Sequence, residues 1–155
     1  MKKTDELSLE KTLEFAAKCY ENKKTVTGVE LFVFCKQVAR QAEQIARRLF
    51  LDLRPDYISD NAKDNITAIV HCAVLYDVLN VSACAFEHIA DVTNVQVAAM
   101  VAAISRDFRL VETKRDMEFR GRLSQSPVGA QIVITAQIIC AAKSVDRVLD
   151  GAKIP

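Results

Sequence analysis

Between Ile66 and Leu79 the chain is apolar nearly all the way round the helix that its spacing describes. A helix without a polar face has to be enclosed by other elements, so this segment alone calls for a layered fold with a central helix. A second segment of the same kind, "IVITAQIICAA", runs from Ile132 to Ala142. The elements around them are expected to be helical too. Only four glycines and three prolines punctuate 155 residues, too few for a turn-rich β-fold, and the apolar mass is Ala, Val, Ile and Leu, with 6% aromatics and no Trp. That length suits a single domain over residues 1–155, which can bury roughly 70% of its unfolded surface without disulfide staples.

Seven helical segments follow from periodicity and punctuation. Residues 8–23 form the first, with Ser8 as N-cap and Leu9, Leu13, Ala16 and Tyr20 at helical spacing. The stretch "TVTG" breaks it. Thr27 and Glu30 then make a T-x-x-E capping box for a long helix to about Leu51, with Phe34, Val38, Ala42 and Ala46 along one face. The stretch "DLRPDYISD" reads as a loop before the central helix, 61–80. Shorter helices are expected over 84–92 and 95–106, and a charged one over 110–123. Ser126 as N-cap and Pro127 at the first helical position open the last, 127–149. The expected class is all-α, a bundle of six or seven helices.

The formal net charge is +1, which gives no strong pull toward nucleic acid or acidic lipid. Five cysteines, at 19, 35, 72, 84 and 140, form no C-x-x-C pair and suit buried thiols in a reducing compartment. The start "MKKTDELSLEK" has no apolar core of a signal peptide, and no uncharged run reaches the length of a membrane span, so a cytoplasmic protein is expected.

From Cys72 to Ser82 the chain reads C-A-V-L-Y-D-V-L-N-V-S. This is similar to the A-A-L-L-H-D-V-[VIL]-E-D-T pattern of the HD-domain superfamily of metal-dependent phosphohydrolases. More narrowly, it resembles the (p)ppGpp hydrolase domain of RelA/SpoT-type alarmone enzymes in their small single-domain form. Downstream, "FEHIADVTNVQVAAMVAAIS" matches that family's acidic helix and its F-G-x-x-V-A-x-L-V run without a gap. Upstream, "CYENKKTVTGVELFVFCKQVA" keeps the spacing of A-H-x-G-Q-x-R-K-S-G-E-P-Y-x-x-H-P-x-x-V-A. Near the end, "SPVGAQIVITAQ" matches S-P-x-A-x-L-V-K-L-A-D with one inserted residue. The resemblance covers about residues 10–140.

The resemblance implies an HD-like helical bundle and a site for one divalent ion, such as Mn²⁺, held by His, His-Asp and Asp. Those ligand positions fall on Phe34, Tyr76, Asp77 and Gln137, so Asp77 alone is retained. The acidic pair that handles the attacking water falls on Asn80 and Val81. The nucleotide-binding R-K-S-G turn reads "TVTG", with Lys23 and Lys24 nearby as residual nucleotide contacts. A neutral phenol and an uncharged amide are poor replacements for metal ligands. The implied protein is therefore a degenerate homologue, a pseudoenzyme without metal or catalytic residues, serving as a binding or regulatory module for a nucleotide or protein partner. Asp77 is expected to accept a hydrogen bond from Gln137, Tyr76 or water.

One alternative is an active phosphohydrolase with a metal site rebuilt from Cys35, Asp77 and Asp146; another is a helical homo-oligomer with a structural role. Cys84, His88 and Asp91 share a helix face at i, i+4 and i+7, as metal ligands can, or as a buried thiol beside a surface histidine. His71 reads as a histidine at the edge of the core. Lys36, Arg40 and Arg47 make a basic stripe interrupted by Glu43, which is the pattern of a solvated face or of a phosphate-binding surface.

Overall fold

The computed structural model describes residues 7–53 and 62–152. It is all-α. Seven helices of seven or more residues are described: α1 (Leu9–Cys19), α2 (Leu31–Arg47), α3 (Ala62–Val74), α5 (Phe86–Val92), α6 (Val95–Ile104), α7 (Glu112–Ser124) and α8 (Val128–Ala152). A single turn, α4 (Val78–Val81), follows α3, and a π-helical segment, Arg48–Leu53, continues α2. The rest of the expected loop "DLRPDYISD", the first residue of the expected central helix and Pro155 lie outside the described residues.

The central helix is enclosed, as its composition requires, whereas the second apolar segment, in α8, is buried on one side only, with Ile138 58% exposed. α2 packs on α3 and α8, α3 on α8 and α6, and α6 on α8. The α2 face read from its spacing is the buried one: Phe34, Val38, Ala42 and Ala46 all lie in the core. Small residues let these helices approach closely. Gly129 is the tightest case, where a Cβ would come within 2.9 Å of Met100 Cε and 3.0 Å of Ile69 Cγ1. α8 is also long and apolar enough to cross a membrane by length and composition, with mean hydropathy 1.5 over its apolar window; 39% of that window is buried against the fold.

Of three expected caps one forms and two are realised differently. Ser8 does cap α1, accepting from Lys11 N at 3.4 Å. The Thr27–Glu30 capping box does not form. Gly28 has φ +84°, and Gly28 N donates to Thr25 O (3.0 Å) while Thr25 N donates to Val29 O (2.8 Å), so Thr27 is held in a tight turn and Glu30 becomes the residue before α2. Lys24 and Glu30 form an isolated antiparallel bridge across that turn. At α8, Ser126 Oγ donates back to Arg122 O (2.8 Å), closing α7 instead of opening α8. Pro127 stands one place ahead of the first helical residue, and its carbonyl accepts from Ala130 and Gln131. Arg122 ties α7 to α6 by donating to Ala102 O (2.7 Å) and Ser105 O (2.7 Å), at the end of α6 where the helix dipole favours a cation.

The central helix is also shorter than expected, and the break matters for the site. Val78 N donates to Leu75 O at 3.1 Å, so the regular ladder stops and Val74 O is left without its helical donor.

The close approach at Gly129 gives a direct test of the packing. Gly129→Ala should cost about 1–3 kcal/mol, the usual range for overpacking a filled core. Urea denaturation measures this, and an unchanged midpoint would show that α8 is free to move away from α3 and α6.

Candidate functional site

The site lies at the break between α3 and α4, and one side chain splices it. Tyr20 closes α1 and is only 2% exposed. Its hydroxyl donates to Val74 O at 3.0 Å and accepts from Asp77 N at 3.2 Å. In an unbroken helix Val74 O would take a bond from Val78 N, and Asp77 N would give one to Ala73 O. The phenol of Tyr20 takes both vacant places. Burial and the neighbouring Cys35 push its own ionisation well above the ordinary tyrosine range, so it acts as a neutral donor and acceptor.

The break explains how two consecutive residues reach one cleft. Tyr76 and Asp77 would diverge by about 100° on a regular helix. Here both line two adjoining lobes, and Gln137 of α8 lines both as well. The first lobe, about 450 Å³, adds Leu31 and Phe34 as apolar wall, with Lys23 and Lys24 contributed by the turn before α2. The second, about 500 Å³, adds Asn80, Arg106, Phe108 and Arg120. Both volumes fall within the range of small-molecule sites, about 300–1,000 Å³.

The structure thus brings Phe34, Tyr76, Asp77, Gln137, Lys23 and Lys24 together around the first lobe. Phe34 and Tyr76 meet edge to face, with ring centroids 6.4 Å apart at 65°. Burial, with Asp77 beside it, pushes the Tyr76 phenol far above its ordinary range. Burial also raises Asp77, opposed by the hydrogen bond from Asn80. Among the described residues the Tyr76 hydroxyl and the Gln137 amide have no hydrogen-bond partner, and Lys23 and Lys24, both exposed, have no ion pair.

The partner expected for Asp77 is different. Asp77 Oδ1 accepts from Asn80 Nδ2 at 2.9 Å, not from Gln137 or Tyr76. Asn80 is three residues on, across the single turn of α4, so the pair was readable as a local i, i+3 contact. Tyr20 and the lobe around Arg106 and Arg120 carry no such signal. They depend on helices distant in sequence.

The rebuilt metal site is not assembled. Cys35 is buried, its Sγ donates to Phe32 O (3.0 Å), and burial pushes its thiol up to about 12. Asp146 is exposed on α8 and lines neither lobe. His88 is occupied too: its Nδ1 accepts from Ala85 N at 2.9 Å, capping α5, and burial holds Cys84 as a thiol, up to about 11. His71 is a core residue, 2.8 Å from Thr12 Oγ1 through Nδ1 and held neutral by burial. Among the described residues no three His, Cys, Asp or Glu side chains converge to hold an ion. The basic stripe stands apart from the cleft: Lys36 Nζ lies 4.6 Å from the centre of the Phe32 ring, and Arg47 pairs with Glu43 at 2.9 Å.

The donor set at the four family ligand positions does not fit a divalent ion. Phe34 has no lone pair, Tyr76 is a neutral phenol and Gln137 an uncharged amide, which leaves one carboxyl. No family model and no curated protein matches the chain.

Two substitutions test the splice and the carboxyl. Tyr20→Phe leaves the buried Val74 carbonyl and the Asp77 N–H without their partner, and should lose about 1–3 kcal/mol in chemical denaturation; no loss would show the break to be self-supporting. Asp77→Asn keeps an acceptor for Asn80. A carboxyl raised in the folded state stabilises only below its unfolded value of about 4, and loses that contribution as pH rises through the folded value. The variant should therefore match or exceed the wild type in thermal stability at pH 7, with the gain shrinking toward pH 4. A variant less stable at pH 7 than at pH 4, relative to wild type, would mean that the ionised carboxylate is held by a favourable partner.

Proposed function

We propose that the chain is a degenerate HD-type phosphohydrolase homologue that binds a nucleotide-sized ligand in the cleft between α2, α4 and α8 without hydrolysing it. The reading is carried by one observation. The residues at the four family ligand positions line a single lobe, although they come from α2, the α3–α4 break and α8, and only one of them is a carboxylate. Asn80, where the family has an acidic residue to handle water, is an amide bonded to Asp77 and cannot serve as a base. Lys23 and Lys24 give the lobe a cationic edge suited to a phosphate. A cytoplasmic setting accords with five unpaired cysteines.

A second reading has its own support. Val145, Val148 and Leu149 are 46%, 51% and 58% exposed along the C-terminal half of α8, an apolar face that suits self-association. Sedimentation velocity at rising concentration tests it.

The purified protein, incubated with Mn²⁺ and guanosine tetraphosphate, should release no pyrophosphate, and after desalting it should carry less than one equivalent of Mn, Fe or Zn. Turnover that Asp77→Asn abolishes would overturn the degenerate reading.

A further inference from the structure

The first lobe has an unusual distribution of chemistry for a site that would hold a phosphate at its floor. The floor carries one acidic group, Asp77, and no cation. Asp77 has one oxygen engaged by Asn80, which leaves the other as an acceptor. Beside it stand two hydrogen-bonding groups that no other described residue engages, the Tyr76 hydroxyl and the Gln137 amide. The wall is aromatic and aliphatic, with Phe34 only 2% exposed. The cations, Lys23 and Lys24, are both exposed, on the turn before α2.

A phosphate placed against this floor would meet a carboxyl at close range with no counter-charge, and would lose its water to apolar walls. A flat, uncharged heterocycle suits it better. One face can lie against the half-buried Tyr76 ring, which Phe34 backs, its N–H donors can reach the open oxygen of Asp77, and the Gln137 amide can give and accept at its edge. The lysines then stand where an attached phosphate would emerge.

We propose that the lobe holds a nucleotide with its base at the floor, read by Asp77 and Gln137, and its phosphate at the mouth on Lys23 and Lys24. This rests on the ligand-binding reading above and adds an orientation to it. The ligand class is a nucleobase with N–H donors on its edge, carrying a phosphate one sugar away.

Calorimetric titration of the full chain with guanosine, guanosine 5′-monophosphate and inorganic pyrophosphate tests the orientation. The monophosphate should bind at least roughly tenfold more tightly than the nucleoside, as one or two charge-assisted hydrogen bonds provide. Pyrophosphate alone should show no saturable heat. The double variant Lys23→Ala, Lys24→Ala alters only exposed side chains; it should bring the monophosphate down to the affinity of the nucleoside and leave the nucleoside unchanged. Gln137→Ala, with its fold checked by circular dichroism, should weaken both. Pyrophosphate binding as tightly as the monophosphate, or a phosphate contribution lost through Arg120→Ala and not through the lysines, would overturn the orientation while leaving a ligand-binding cleft. No binding by any of the three probes would overturn both.

Discussion

The hydroxyl of Tyr20 is the contact on which the site depends. It replaces two hydrogen bonds that the α3–α4 break leaves unmade, one to Val74 O and one from Asp77 N. Without such a partner, a buried carbonyl and a part-buried N–H would be orphaned, which costs more than most single contacts give. With it, the chain can interrupt its central helix and turn Tyr76 and Asp77 toward one cleft. The residue that makes this possible closes α1, so the first helix, which lines neither lobe, determines the shape of the floor.

Once Asp77 is placed there, its surroundings decide what the cleft can do. Burial disfavours its charged form, and the one group that bonds it is a neutral amide from its own turn. Phe34 and Tyr76 fill space with edge-to-face rings, and the phenol stays protonated. A site built this way has a single carboxyl among neutral groups at the bottom and is basic at the rim. That is the reverse of a metal centre, where the charge is concentrated at the floor and balanced by several anionic ligands.

The helical class and the buried faces were legible because they follow from local periodicity. Phe34, Val38, Ala42 and Ala46 lie on the buried side of α2 just as their spacing requires. The gathering of Phe34, Tyr76, Asp77 and Gln137 was legible only through the resemblance in spacing. The break after Val74 was not legible, since "HCAVLYDVLNVS" contains neither Gly nor Pro and the stabilising group is Tyr20, more than 50 residues upstream. The cap at Thr27 was misread for a different reason. The T-x-x-E spacing was present, but Gly28 at positive φ drew Thr27 into a turn first, and tight turns compete with capping for the same side chains. His88 was weighed as a metal ligand when its ring serves the N–H of Ala85.

Asp77 is a half-buried carboxyl whose charged form burial disfavours and whose one described hydrogen-bond partner is the Asn80 amide. The most direct measurement is the ¹³C chemical shift of its side-chain carboxyl followed from pH 3 to pH 8, with and without millimolar Mg²⁺. The expected titration midpoint lies above the ordinary aspartate value of about 4, in the same place whether or not the ion is added. A midpoint at or below that value, or one that Mg²⁺ pulls downward, would mean that a positive charge balances the carboxylate.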